Sequence, residues 1–225
     1  MRVLRDMIRY RASVAFDRWA SSYDADVQGK LRRRGYSYEE LGATISCAIG
    51  AVHDGAVLEL GVGTGVLGRS VRAEGVAQII GIDISRGMLE QARGTGTYHM
   101  LLHCSAESIP IRSGSFGALY SAFMLHSVPD QRAAVAEMAR LLRPGASGCL
   151  VDLYPQSSRS GFISVLRWNL ESVWKERGAL SLYRHPDQVV EMLEEAGLIV
   201  TGRIKLGKPK RLEHVAITFH KAGAK

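Results

Sequence analysis

The chain has 225 residues, 46% of them hydrophobic, which suffices for one sizeable core and sets a single domain as the expectation. No apolar run approaches the length of a membrane span, and the first twelve residues carry too many charges for a secretory signal. The formal charge is +7, and three unpatterned cysteines (Cys47, Cys104, Cys149) suit neither a disulfide framework nor a metal site, so a reducing, cytoplasmic setting is expected.

Residues 1–35 hold nine basic and four acidic side chains, so +5 of the charge sits there. Arg2, Arg5, Arg9 and Arg11 interleave with Leu4, Met7 and Ile8 at helical spacing, and Lys30-Leu31-Arg32-Arg33-Arg34 follows. Three readings compete: a solvated face, attraction of an anionic substrate, or nucleic-acid contact. With 22 arginines against seven lysines, general arginine enrichment favours the solvated face. Helices are predicted over 14–24, 38–52, 65–73, 86–93, 130–142 and 186–196. Strands are predicted over 55–60, 78–83, 98–103, 117–123, 147–153, 199–206 and 212–220. The 130–142 helix is the clearest: Asp130 can cap it, Val135, Met138, Leu141 and Leu142 form its inward stripe, and Pro144-Gly145 stops it. Strand–helix alternation implies a parallel sheet covered on both faces. The last two strands join through Gly207-Lys208-Pro209-Lys210, so one of them should run antiparallel. The expected organisation is an N-terminal helical cap (1–52), a cofactor-binding core (53–154), a lid insertion (155–184) and a C-terminal helix with two strands (185–225). The insertion is the most aromatic stretch, and a cover of that kind would exclude water from a substrate pocket.

The most informative stretch is Val57-Leu58-Glu59-Leu60-Gly61-Val62-Gly63-Thr64-Gly65, a buried strand running into a glycine-rich turn. Such a turn lets the backbone approach a nucleotide-like ligand. Gly63-Thr64-Gly65-Val66-Leu67-Gly68 fits the dinucleotide fingerprint, and eighteen residues past Gly65 lies Asp83, placed to take two ribose hydroxyls. Glu59 separates the cofactors. At the mouth of the first strand it would repel a diphosphate but attract an ammonium and a sulfonium. S-adenosylmethionine is therefore favoured over a nicotinamide dinucleotide.

The strings E-L-G-V-G-T-G, G-I-D-I-S (81–85) and A-E-S-I-P-I (106–111) resemble the class I S-adenosylmethionine-dependent methyltransferases. The similarity is greatest to their ubiquinone/menaquinone-biosynthesis-like branch of small-molecule enzymes. Phe16 through Asp24, Ser115-Phe116-Gly117-Ala118, Leu125-His126 and Glu137 through Gly145 agree in order and spacing. The resemblance implies an α/β fold: a single Rossmann-like doubly wound sheet of about seven strands, mostly parallel, with one antiparallel strand near the C-terminus and helices on both faces. It implies that Gly61, Gly63 and Gly65 line the methionine half of the cofactor and that Glu59 supports its amino end. Asp83 would take the ribose hydroxyls, Ile84 would lie against the adenine, Ala106 and Glu107 would close over the adenine edge, and Tyr23 would cover the cofactor. One departure stands out: Cys104-Ser105 replaces the family's Gly-Asp, leaving Ser105 or water to accept from the adenine amino group.

Methyl transfer from a sulfonium needs no metal, and positioning alone can lower the barrier by about 7–11 kcal/mol. A general base is required only when the acceptor must lose a proton. His126, after the fourth predicted strand, is the first choice, since an unperturbed imidazole titrates near about pH 6.5. His185 is the second. Phe123, Tyr154, Trp168 and Tyr183 are expected to touch the acceptor. The expected activity is methylation of an O or N atom, less often C, of a small organic metabolite, with S-adenosylhomocysteine as product. A nicotinamide-dependent oxidoreductase, a non-methylating S-adenosylmethionine-binding enzyme and an RNA methyltransferase remain alternatives. No Tyr-x-x-x-Lys pair supports the first, and Ser121-Ala122-Phe123-Met124 replaces the motif of DNA amino-methylating enzymes. Oligomeric state is left open.

Overall fold

A computed structural model describes residues 2–50, 55–155, 181–208 and 212–223. Three helices come first: α1 (Arg2–Trp19), α2 (Tyr23–Arg32) and α3 (Tyr38–Ile49). An alternating core follows: β1 (Ala56–Leu60), α4 (Val66–Ala73), β2 (Ile79–Asp83), α5 (Arg86–Gly94), β3 (Met100–His103) and β4 (Phe116–Ala122). A 3-10 turn (Leu125–Ser127) leads to α6 (Gln131–Leu141) and β5 (Leu142–Pro155), and the chain closes with α7 (Pro186–Glu195), β6 (Leu198–Leu206) and β7 (Leu212–Lys221).

The seven strands form one sheet in the order β3-β2-β1-β4-β5-β7-β6. All pairings are parallel except those of β7, which runs antiparallel to both β5 and β6. The sheet is thus the expected Rossmann-like one, and β7 is its antiparallel strand. Strand alternation divides the core. On one face α6 and α7 bring Val135, Met138, Leu141, Val189 and Leu193 onto Leu58, Leu60, Leu119 and Leu150. On the other, Leu41, Ile45 and Ile49 of α3 and Leu67 and Val71 of α4 meet Val57, Ala118, Tyr120 and Val151. Side chains at successive strand positions point to opposite faces, so each strand feeds both layers.

The order reverses between β1 and β4, and in open sheets that opening beyond the carboxyl ends is where ligands lodge. Caps hold the surrounding elements in place. The Ser37 hydroxyl accepts from Glu40 N–H and Glu40 answers at Ser37 N–H, completing a capping box on α3. Asp130 accepts from Ala133 N–H at the start of α6, as the sequence suggests.

The predicted helix over 14–24 is corrected. The chain breaks at residues 20–22, and two helices replace one. Trp19 holds the corner, donating its indole N–H to Asp26 at 2.7 Å and meeting the Tyr23 ring edge-on at 4.8 Å between centroids. Helix α1 docks with little apolar burial and many polar hooks. Ser13 donates to the Ile84 carbonyl, and the Asp17 carboxylate accepts from the Ser85 hydroxyl and the Gly87 N–H. Among the described residues no helix is long and apolar enough to cross a membrane.

Candidate active site

An open cleft of about 710 Å³ lies at the switch point. Gly61 and Gly63 of the turn after β1, Asp83 and Ile84 at the end of β2, and Ser105, Ala106 and Glu107 after β3 form one side. Tyr23 and Phe16 from the N-terminal helices and Phe123 and Met124 after β4 close the other. Eight of the ten residues expected around a cofactor therefore surround one space. Gly61 has φ of +73°, and a Cβ there would stand 2.5 Å from Met124 Cγ, so only glycine leaves both the turn and the neighbouring wall intact.

Asp83 ties the turn to the second strand. Its Oδ2 accepts from Gly63 N–H at 2.9 Å and its Oδ1 from Ser85 N–H at 2.8 Å. Burial raises the Asp83 pKa, and these N–H donors oppose the shift. Each oxygen keeps lone-pair capacity toward the cleft, which suits a pair of ribose hydroxyls.

Glu59 and Gly65 stand elsewhere. Glu59 is 1% exposed and lines a smaller adjoining cleft of about 320 Å³, together with Tyr23, Gly61, Gly63 and Phe123. The hydroxyls of Tyr98 and Tyr120 both donate to Glu59 Oε2, at 2.7 and 2.8 Å. Burial pushes the Glu59 pKa up to about 8 even though both hydroxyls favour the ionised form. Gly65 faces away: it caps α4 with φ of +84°, and a Cβ there would meet Ala92 and Tyr98.

Ser105 and Glu107 are engaged with the protein. The Ser105 hydroxyl donates to Glu107 Oε2 at 2.9 Å and accepts from Glu107 N–H at 3.2 Å. Glu107 also receives Arg9 Nε at 2.6 Å and Asp130 N–H at 2.7 Å, which fastens α1 across the cleft mouth. The buried Ser127 hydroxyl lines the same cleft with no partner among the described residues. That orphaned group, the glycine turn and the carboxylates Asp83 and Glu59 fit a nucleoside carrying an amino-acid tail.

A second cleft, about 910 Å³, shares Phe16, Tyr23 and Phe123 with the first. His126, Tyr183, Leu153 and His214 line it, with Lys30, Arg33 and Arg34 from the end of α2 and the turn after it. Phe123 is the one non-glycine residue with positive φ (57°) among those described, a strain that is characteristic of ligand sites. His126 is 8% exposed and faces Asp152: Nδ1 lies 2.5 Å from Oδ1, and the His126 backbone N–H donates to Oδ2 at 3.0 Å. Leu153 N–H adds a third bond to Oδ1 at 2.7 Å. The ring stacks on Tyr183 with centroids 5.1 Å apart. His214 faces the Tyr36 hydroxyl and lies 5.0 Å from the Phe123 ring, and burial lowers its pKa to about 3.

Two of the remaining expected residues, His185 and Tyr154, are not gathered here. His185 is the N-cap of α7, with its side chain accepting from Asp187 N–H, and it lines none of these three clefts. Tyr154 is 2% exposed within the core. Trp168 and most of the lid insertion lie outside the described residues. Arg9, Ser127, Asp152 and the α2 cations were not identified as site residues from the sequence. Asp152 carried a signal, as an acid ending the fifth strand; the two tyrosines on Glu59 carried none.

Residues 58–150 match the family described as methyltransferase domain. The human methyltransferase-like protein 27 is 33% identical over 141 residues, 60% of this chain and 55% of that protein. The ubiquinone/menaquinone biosynthesis C-methyltransferase UbiE of Desulfotalea psychrophila (strain LSv54 / DSM 12343) is 34% identical over 106 residues, 45% of this chain and 42% of its own. The chain thus spans about half the length of these curated relatives. A geranyl diphosphate methyltransferase solved with S-adenosylmethionine shares the fold, with a TM-score of 0.71 at 16% identity over 89% of this chain and 90% of that one. The glycine turn and Asp83 both lie inside the segment, residues 58–150, that matches the methyltransferase domain.

Proposed function

We propose that the chain methylates an O or N atom of a small organic molecule, with S-adenosylmethionine in the first cleft and the acceptor in the second. One observation carries this reading: the two clefts meet at Phe16, Tyr23 and Phe123, and the second holds a buried His126–Asp152 pair. When bound, the cofactor supplies an electrophilic methyl group on a sulfonium. Asp83 takes the ribose hydroxyls, Ile84 and Ala106 flank the base, and Ser127 offers a hydroxyl that the protein leaves unused. Both tyrosines occupy Glu59 Oε2, so Oε1 is assigned to the amino end of the cofactor. Tyr23 and Phe123 wall the junction, exclude water and limit the approach to one line.

Asp152 accepts from His126 Nδ1–H and from two backbone amides, which fixes the ring and its tautomer. His126 Nε2 then holds the lone pair that takes the acceptor's proton. A stacked Tyr183 keeps the ring from turning. His185 is assigned no part in the reaction: it caps α7.

The test is S-adenosylhomocysteine formation over a panel of hydroxylated and aminated small molecules, followed by His126→Asn with the best acceptor. The expected result is a turnover reduced by about 10²–10⁴ with unchanged S-adenosylhomocysteine affinity. Undiminished turnover of an acceptor that must lose a proton removes His126 as the base. Binding of a nicotinamide dinucleotide in preference to S-adenosylhomocysteine removes the assignment itself.

A further inference from the structure

We infer that the acceptor is an organic anion, with its carboxylate or phosphate held by Arg34 and flanked by Lys30 and Arg33; this rests on the methyl-transfer reading above. These three cations line the second cleft, and no carboxylate among the described residues pairs with any of them. Elsewhere cations that reach the site region are matched: Arg9 meets Glu107, and Arg5 meets Asp130. Of the carboxylates near the second cleft, Asp152 is occupied by His126 and two backbone amides, and Asp26 by the Trp19 indole N–H.

Two of the cations are also held in place. Arg34 is half-buried and donates through Nη1 to the Leu212 carbonyl at 2.8 Å, leaving its other N–H groups for a planar bidentate partner. Partial burial lowers its pKa, which marks a guanidinium stripped of water and not yet compensated by an anion. Lys30 lies over the Trp19 ring at 5.0 Å. Apart from His126 and His214, the rest of the lining (Leu31, Leu153, Phe123 and Tyr183 among it) is apolar or aromatic, so the ligand that fits carries an apolar body with an anionic end. A polynucleotide would call for a stripe of cations along an extended surface; here three line a single cleft walled by apolar and aromatic side chains.

The experiment uses the whole chain saturated with S-adenosylhomocysteine, and calorimetric titration with 1-naphthoate and its neutral counterpart 1-naphthamide. Wild type is expected to bind the anion at least about tenfold more tightly, the worth of one charge-assisted bond. Arg34→Gln should bring the two ligands within about twofold while S-adenosylhomocysteine affinity stays the same. Arg34 also anchors the Leu212 carbonyl, so the double variant Lys30→Gln/Arg33→Gln, confined to the rim, provides a second reading: a smaller but definite loss of the preference. Equal affinity for the two naphthyl ligands in wild type, or a preference that survives both variants, overturns the inference. Displacement of naphthoate by a short oligouridylate of higher affinity overturns it in favour of RNA. Failure to bind S-adenosylhomocysteine strikes instead at the methyltransferase reading.

Discussion

Replacing Glu59 by Gln isolates the electrostatic reason for preferring a cationic cofactor. The carboxyl is buried behind the glycine turn, and burial holds its pKa at about 8. A carboxyl with that pKa is about 90% protonated at pH 7 and about 99% protonated at pH 6. If the ligand's ammonium docks against it, the bound form requires the carboxylate, so binding at pH 7 should release about 0.9 proton. The ionised fraction rises about ninefold between pH 6 and 7, and affinity for S-adenosylhomocysteine should rise by the same factor. This window lies below the range where an α-amino group loses its own proton. Calorimetry in two buffers of different ionisation enthalpy reads the proton count directly. Glu59→Gln keeps an oxygen acceptor for Tyr98 and Tyr120 but cannot titrate, so it should bind with no release attributable to this site and a flat profile. A wild type that releases nothing, or a variant that releases as much, refutes the pairing. The same shift has a consequence for the ligand-free chain. A folded-state pKa raised from 4.5 to about 8 means that stability falls as pH climbs through that interval, and the Gln variant should lose this slope.

Three further outcomes follow from the same geometry. Asp83→Ala removes the acceptor for two ribose hydroxyls and unhooks Gly63, so calorimetry should show S-adenosylhomocysteine binding weakened by about 2–4 kcal/mol; unchanged affinity would displace the site. Asp152→Asn presents an amide to His126 Nδ1 and frees the wrong tautomer, so turnover should fall by about 10²–10⁴ in steady-state assays while S-adenosylhomocysteine affinity holds. Gly68→Ala would place a Cβ 2.2 Å from the Tyr98 hydroxyl and 2.6 Å from Glu59 Oε2. A loss of about 1–3 kcal/mol, seen as a drop of several degrees in Tm, is expected from thermal denaturation.

The parts of this molecule that can be read from the chain are those set by short-range chemistry. Val57, Leu58 and Leu60 put apolar side chains on both faces, so the run must be a covered strand, and Gly61 and Gly63 then take the positive φ values the turn requires. Asp83 was legible because a strand carries its last residue to a fixed place beside its neighbour, and β2 pairs with β1. The reversed final strand followed from two strands with no helix between them. His185 also carried a signal. It stands immediately before Pro186, and a residue before proline at the first helical turn is a cap, which accounts for its absence from the clefts. What stayed hidden depends on side chains brought together from far along the chain. Glu59 meets Tyr98 and Tyr120 from positions 39 and 61 residues away, and His126 meets Asp152 across 26. No window of sequence contains either pairing. The break at residues 20–22 was missed for a related reason: a helical pattern runs through it, and the turn is held by Trp19 reaching Asp26 and Tyr23. The basic run at 30–34 shows the boundary most plainly. Its sign is written in the residues, and a solvated face was the reasonable reading of so many arginines. Its aim is set by where α2 ends, beside β7 and the Leu212 carbonyl, and that placement turns ordinary surface charge toward the second cleft.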